Sequence, residues 1–344
     1  MPEGMMVGGA VYVQTNEPEN HVVALARAAD GALTRLGAYA TGGAGDATPH
    51  LTSQGSVVLT ADGRHLLVTN VASHDVSVFK VVESGLEPVQ TVSSGGAAPK
   101  SLAERDGLVF VLNTGKPGVT GFRLTETGLE PLMGAEMPLS AANAEPAQIG
   151  FTPDGSMLVI TERATDSIIT FAVAADGRLG EMTVTPSSGP TPYGFAFTSG
   201  GTLIVTEAFR AGKGEAAASS YAVRGGSLTP ATRSLGNGRS EICWAVVTKD
   251  DRYAFTTNFA DGAVSRYAIG ADGSLALEDA TAALTVDGRP GLRDEDLTAD
   301  GRFLYAIDAD SGSIFGWEVG EGGSLSPIGS WAGLPLTIAG LAAR

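Results

Sequence analysis

One phrase recurs along the whole chain, and it limits the possible folds more than any other feature. A short apolar run ends in an amide or acid at Asn16, Asn70, Asn113, Glu162, Glu207, Asn258 and Asp308. Successive separations are 54, 43, 49, 45, 51 and 50 residues. Downstream of each lies an aromatic residue, a spacer and an aliphatic one, as in Phe79-Lys80-Val81, Phe122-Arg123-Leu124 and Trp317-Glu318-Val319. Leu25 takes the aromatic place in the first copy. The two landmarks stand 9 residues apart in six copies and 14 apart in the fifth, from Glu207 to Tyr221. Turn pairs such as Asp62-Gly63, Asp154-Gly155, Asp176-Gly177 and Asp272-Gly273 separate the runs, chemistry suited to two-residue hairpins. Copies of about 49 residues, filled with short strands, have the length of four-stranded propeller blades.

The sequence therefore predicts an all-β, seven-bladed β-propeller forming a single domain over residues 1–344. The blades fall approximately at 6–48 plus 336–344, 49–97, 98–143, 144–190, 191–239, 240–290 and 291–335. The first copy has no inner strand ahead of its turn, expected at Gly8-Gly9, while the chain ends in an unpaired apolar segment, Leu336 to Ala343. Ring closure, with the C-terminal strand pairing into blade one, resolves both oddities and leaves no exposed sheet edge. On this reading many of the 47 glycines among 344 residues are hairpin turns, not linkers between several domains.

Composition narrows the partners. With 22 basic and 38 acidic residues the net charge is −16, which disfavours nucleic acid and anionic membrane surfaces. No apolar run reaches the roughly 20 residues of a membrane span. No export signal is readable at the N-terminus, so a cytoplasmic location is expected. The single cysteine, Cys243, excludes an internal disulfide, and His21, His50, His65 and His74 lack zinc-site spacing. His50 is expected on a solvated loop. The partner expected is a small molecule, and the sequence is silent on oligomeric state.

In a propeller the starts of the innermost strands and the ends of the second strands share one rim around the channel, where ligand sites favour the mouth. Asn and Asp at strand ends are ordinary turn formers. Glutamate is not, so Glu162 and Glu207 stand out as rim carboxylates. The extra residues of copy five, Phe209 to Ala218, lie beside Glu207 and could form a lid. Counting back along the innermost strands brings Gln148, Tyr193, Trp244, Arg293 and Asp294 to the same rim. Arg293 could clamp a carboxylate in bidentate fashion. Bulky Trp244 also suits packing.

The phrases "VVLTADGRHLLVTN", "IGFTPDGSMLVITE" and "LTADGRFLYAID" resemble the lactonase family of seven-bladed propellers, over nearly the whole chain from Val11 to Leu341. That family includes propeller-type 6-phosphogluconolactonases and carboxymuconate lactonizing enzymes, also described as 3-carboxymuconate cyclases. The resemblance implies a channel-mouth site whose glutamate falls on Glu207 and whose later arginine falls on Arg293. The chain departs from the family at three places: Leu292 replaces the proline of the Pro-Arg-Asp phrase at Arg293-Asp294, Pro146-Ala147-Gln148 stands where His or Arg is frequent, and Pro192-Tyr193-Gly194 where Pro-Arg-His is frequent.

Three activities are compatible with these residues. In the first, Glu207 is the general base and Arg293 the oxyanion or carboxylate partner of a lactone hydrolase, or of a cyclase (isomerase) working in reverse, in carbohydrate metabolism. Gln148, Glu162, Tyr193, Trp244 and Asp294 would complete the substrate site. No cofactor is required. In the second, the ring of amide and carboxylate oxygens binds a hard divalent cation such as Ca²⁺. In the third, the propeller is a non-catalytic ligand- or protein-binding scaffold.

Overall fold

A computed structural model describes residues 7–49, 51, 52, 54–285 and 289–344. His50 lies outside these described residues. The repeat folds as seven four-stranded antiparallel sheets. In blade 5, for example, the strands run Pro192–Phe197, Thr202–Glu207, Ala217–Arg224 and Ser227–Gly236 from the channel outward. Blade 1 is the exception in chain order. Its innermost strand is the C-terminal Ala339–Ala343, which pairs antiparallel with Val7–Gln14.

That closure has a buried clasp. The guanidinium of Arg27, only 3% exposed, donates through Nε to Arg344 O (3.0 Å) and through Nη2 to Gly8 O (2.7 Å). One side chain thus ties both chain ends together, and it also lies 5.2 Å from the centroid of the Phe303 ring in blade 7. The Gly8-Gly9 pair is not a turn, as its composition suggests, but lies within the second strand at a register shift. A Cβ on Gly9 would sit 1.8 Å from Arg344 O, so the glycine is what lets the C-terminus dock.

Among the described residues the apolar core is divided into several clusters. Apolar side chains fill the layers between neighbouring blades, as where Phe110 and Leu112 of blade 3 cluster with Leu158, Ile160 and Phe171 of blade 4. The recurring aromatic position supplies these layers: Phe79, Phe122, Phe171, Tyr221 and Tyr267 are fully buried. Between the two inner strands the turns close locally. Thr60, Thr152, Thr248 and Thr298 each donate Oγ1–H to the aspartate two residues on, at 2.6–2.7 Å. Each aspartate oxygen also accepts the backbone N–H two residues further on, which is why these turns read so clearly in the sequence.

Candidate functional site

The residues that end each second strand turn away from the channel. Asn113 accepts from Ser94 Oγ (2.8 Å) and Asn258 from Asn237 Nδ2 (2.9 Å), so each holds the linker entering its own blade. Glu162 and Glu207 play the same part with carboxylates. Glu162 accepts from Ser140 N (3.0 Å), the Ser140 hydroxyl and Thr165 Oγ1 (2.6 Å). Glu207 Oε1 accepts from Gly189 N (2.8 Å), Ser219 Oγ (2.6 Å) and Ser187 Oγ (3.3 Å), and its Oε2 from Ser234 Oγ (2.6 Å). Both carboxylates are fully buried and neither reaches the channel mouth.

What does reach the mouth is the residue one step before the innermost strand in blades 4, 5 and 6. Glu145, Thr191 and Glu241 adopt left-handed backbone with φ of 48°, 58° and 54°. This conformation costs about 1 kcal/mol per non-glycine residue. It turns the carbonyl to accept from the residue leaving the second strand: Arg163 N (3.2 Å), Ala208 N (2.9 Å) and Phe259 N (2.9 Å) respectively. It also projects these side chains over a cavity of about 370 Å³ that spans the ends of blades 4 to 7.

Three arginines line this cavity in a chain of net charge −16. Arg163 lies over the Tyr193 ring, 5.2 Å from its centroid, and pairs with Glu145 Oε2 at 3.3 Å. Arg210 pairs with Asp166 Oδ2 at 2.6 Å. Arg293 is different. It is 6% exposed, donates Nη1–H to Leu51 O (2.8 Å) and lies 4.8 Å from the centroid of the Phe259 ring. Its Nε–H has no acceptor, and no carboxylate pairs with it among the described residues. A buried cation without a counter-ion is costly, and an anionic ligand would relieve that cost. Glu241 lines the same cavity, and its carboxylate has no hydrogen-bond or ionic partner among the described residues.

The remaining wall is inert. Tyr193 bonds Thr52 Oγ1 across the mouth at 3.2 Å, and burial raises its phenol above the ordinary range. Burial likewise pushes the Cys243 thiol up to about 12, so it is no nucleophile near neutral pH. Lys100, half-buried, has its ammonium disfavoured first by burial, with Arg163 pushing the same way and Asp46 and Glu145 opposing.

Of the seven residues that the sequence nominates, the structure brings Tyr193 and Arg293 into this cavity and places the other five elsewhere. Gln148 bridges blades 4 and 5, accepting from Phe195 N (2.8 Å) and donating to Phe195 O (3.0 Å). Trp244 is fully buried, its ring 4.9 Å from that of Tyr193. Asp294 faces blade 1, where Oδ2 accepts from Gly340 N (3.2 Å). Gly194 has a steric reason: a Cβ there would lie 2.5 Å from Cys243 O and 2.8 Å from Trp244 Cα, so no histidine fits. The sequence reading missed Glu145, Arg163, Arg210 and Glu241. Their positions share a pattern: Arg163 follows the strand end Glu162, Glu145 and Glu241 each stand three residues before a nominated residue (Gln148 and Trp244), and Arg210 lies inside the copy-five insertion.

No group of three or more His, Cys, Asp or Glu converges as a metal site among the described residues. A second cavity, about 560 Å³, opens around Gln54, Gln148, Asp296 and Arg344; its arginine is exposed and donates to Gly63 O (3.3 Å), unlike the buried Arg293.

A family model described as lactonase, 7-bladed beta-propeller, matches residues 7–140, 119–212 and 205–333. No curated protein matches. Among solved structures, a periplasmic gluconolactonase of Pseudomonas aeruginosa is similar at 19% identity, with 97% of this chain and 99% of that chain covered and a TM-score of 0.74. A candidate 6-phosphogluconolactonase of Bacteroides fragilis is similar at 19% identity, 99% coverage of both chains and a TM-score of 0.75. A Lactobacillus plantarum protein is similar at 16% identity, with 97% and 98% covered and a TM-score of 0.75. At such identities the likeness is one of fold.

Proposed function

The chain belongs to the lactonase family of seven-bladed β-propellers, and on that premise we propose that it hydrolyses a lactone in the channel-mouth cavity, with Arg293 and Glu241 as the reacting pair. One observation carries this reading: Arg293, buried and without a carboxylate partner among the described residues, faces a cavity that also holds the unengaged Glu241 carboxylate. Glu241 takes a proton from water as the oxygen attacks the lactone carbonyl. Charge builds on the carbonyl oxygen, and the Arg293 guanidinium stabilises it. The ring C–O bond then breaks, the leaving alkoxide recovers the proton from Glu241, and the new carboxyl group releases its proton to solvent, so that the hydroxy-carboxylate product remains paired with Arg293 until it departs. Run in reverse, the same groups close the ring.

The test is hydrolysis of a panel of five- and six-membered aldonolactones by the wild type, Glu241→Gln and Arg293→Met, with and without EDTA. Loss of a general base lowers rates by about 10²–10⁴-fold, so Glu241→Gln should fall by at least 100-fold with its melting temperature kept. Wild-type rates retained by Glu241→Gln would overturn the assignment, and EDTA sensitivity would favour the cation-assisted alternative. Ligand binding without turnover of any lactone would make the protein a binding propeller instead.

A further inference from the structure

We propose that Arg210, on the insertion peculiar to blade 5, is a specificity residue that reads a second anionic group on the ligand, a carboxylate or a phosphate, and that Asp166 positions it for this. The inference rests on the reading of the mouth cavity as the ligand site. Phe209, Arg210 and Ala211 have φ of 47°, 51° and 62°, three successive non-glycine residues in the left-handed region. L-residues visit that region singly, not in runs, so the surroundings must impose the turn. Two residues of blades 4 and 5 do so. Thr191 Oγ1 accepts from Arg210 N (3.1 Å), and Asp166 Oδ1 accepts from Thr191 N (2.7 Å).

The other oxygen of Asp166, Oδ2, accepts from Arg210 Nη2 at 2.6 Å. One carboxylate therefore fixes both the backbone and the head group of Arg210, which lines the cavity together with Thr191. Guanidinium donors form a planar fork with several N–H groups, and Nε and Nη1 of Arg210 make no bond among the described residues. They remain for a ligand while Nη2 stays on Asp166. Arg293 is buried at the cavity wall, whereas the Arg210 side chain is 66% exposed at the rim. A ligand whose reacting carboxyl meets Arg293 would thus present a remote anion to Arg210. A lysine could not serve, because a single ammonium lacks the fork that bonds Asp166 and a ligand in one plane.

Equilibrium binding tests this without relying on turnover, so failure of the lactonase reading and failure of this one stay distinguishable. The probes for calorimetric titration are gluconate (one anionic group), glucarate (a second carboxylate) and 6-phosphogluconate (a phosphate). The wild type should bind one doubly anionic probe at least tenfold more tightly than gluconate, and which one identifies the second group. That preference should collapse to within threefold in Arg210→Ala, stay lost in Arg210→Lys, and fall about threefold in Asp166→Asn with restoration in Asp166→Glu. Arg210→Gln serves as the replacement variant if Arg210→Ala does not fold. Absence of a preference in the wild type, a preference that survives removal of Arg210, or no binding of any probe would overturn the proposal.

Discussion

Replacing Glu207 separates a structural anchor from a catalytic base. Its buried carboxylate accepts four hydrogen bonds, of which those from Gly189 N, Ser219 Oγ and Ser234 Oγ are 2.6–2.8 Å long. Glu207→Gln keeps the shape, and its amide oxygen can keep the Oε1 bonds while Ser234 turns its hydroxyl to accept. What disappears is the charge assistance, about 1 kcal/mol for each of the short bonds, or about 2–3 kcal/mol together. Glu207→Ala leaves a backbone N–H and two or three hydroxyls unpaired in the interior, for about 4–5 kcal/mol, near the upper end for a point mutation. With an unfolding entropy of about 2.1 cal/mol/K per residue, a chain of 344 residues loses roughly 1.4 °C per kcal/mol. The expected drops in melting temperature are about 3–4 °C for the glutamine and about 6–7 °C for the alanine variant. Scanning calorimetry measures them. Steady-state kinetics on the best lactone should show kcat within threefold of wild type for Glu207→Gln. A melting temperature unchanged within 1 °C together with a hundredfold loss of kcat would refute the anchor argument and return the base to Glu207.

Two further predictions concern the frame around the site. Gly194→Ala forces a methyl group against the backbone of blade 6, so it should cost at least about 3 kcal/mol and abolish turnover. Gly201→Ala, where nothing lies within 4 Å and only φ of +88° is unfavourable, should cost about 1 kcal/mol; equal melting temperatures for the two variants would contradict the close-approach account. Asp296, whose Oδ2 accepts from Ala343 N at 2.9 Å, has its carboxyl pushed up to about 7, chiefly by burial. Because this exceeds the value of about 3.9 in the unfolded chain, the stability it contributes is full below pH 4 and is lost as pH rises through 7. Asp296→Asn cannot ionise, so its stability relative to wild type should rise by on the order of 4 kcal/mol between pH 4 and pH 8. A difference between the two proteins that stays constant across that range would show that Asp296 does not titrate there.

The fold was legible because its determinants are local. A spacing of 9 residues from strand end to aromatic position sets two strands and one turn, and the Thr-x-Asp-Gly turns close within five residues of chain. Even ring closure could be read, since a blade lacking a strand and a strand lacking a blade must meet. The Gly8-Gly9 pair misled as a turn because the approach of Arg344, 335 residues away, decides its role.

The site obeyed no such local rule. Glu162 and Glu207 occupy strand ends identical in register to those of the asparagines, and they do the same work of holding linkers. Side chains at a strand end point toward the channel or toward the linker according to the backbone turn that follows, and sequence spacing carries no information about that choice. Left-handed kinks at Glu145, Thr191 and Glu241, together with the strained turn at Arg210, aim residues from blades 4 to 6 at the cavity that Arg293 of blade 7 completes. The sequence alone determined the ring, because periodic hydrophobicity and turn chemistry are local. Tertiary packing alone decided which charges share the mouth and which of them lack a partner, because that depends on where four separate blades bring their ends together.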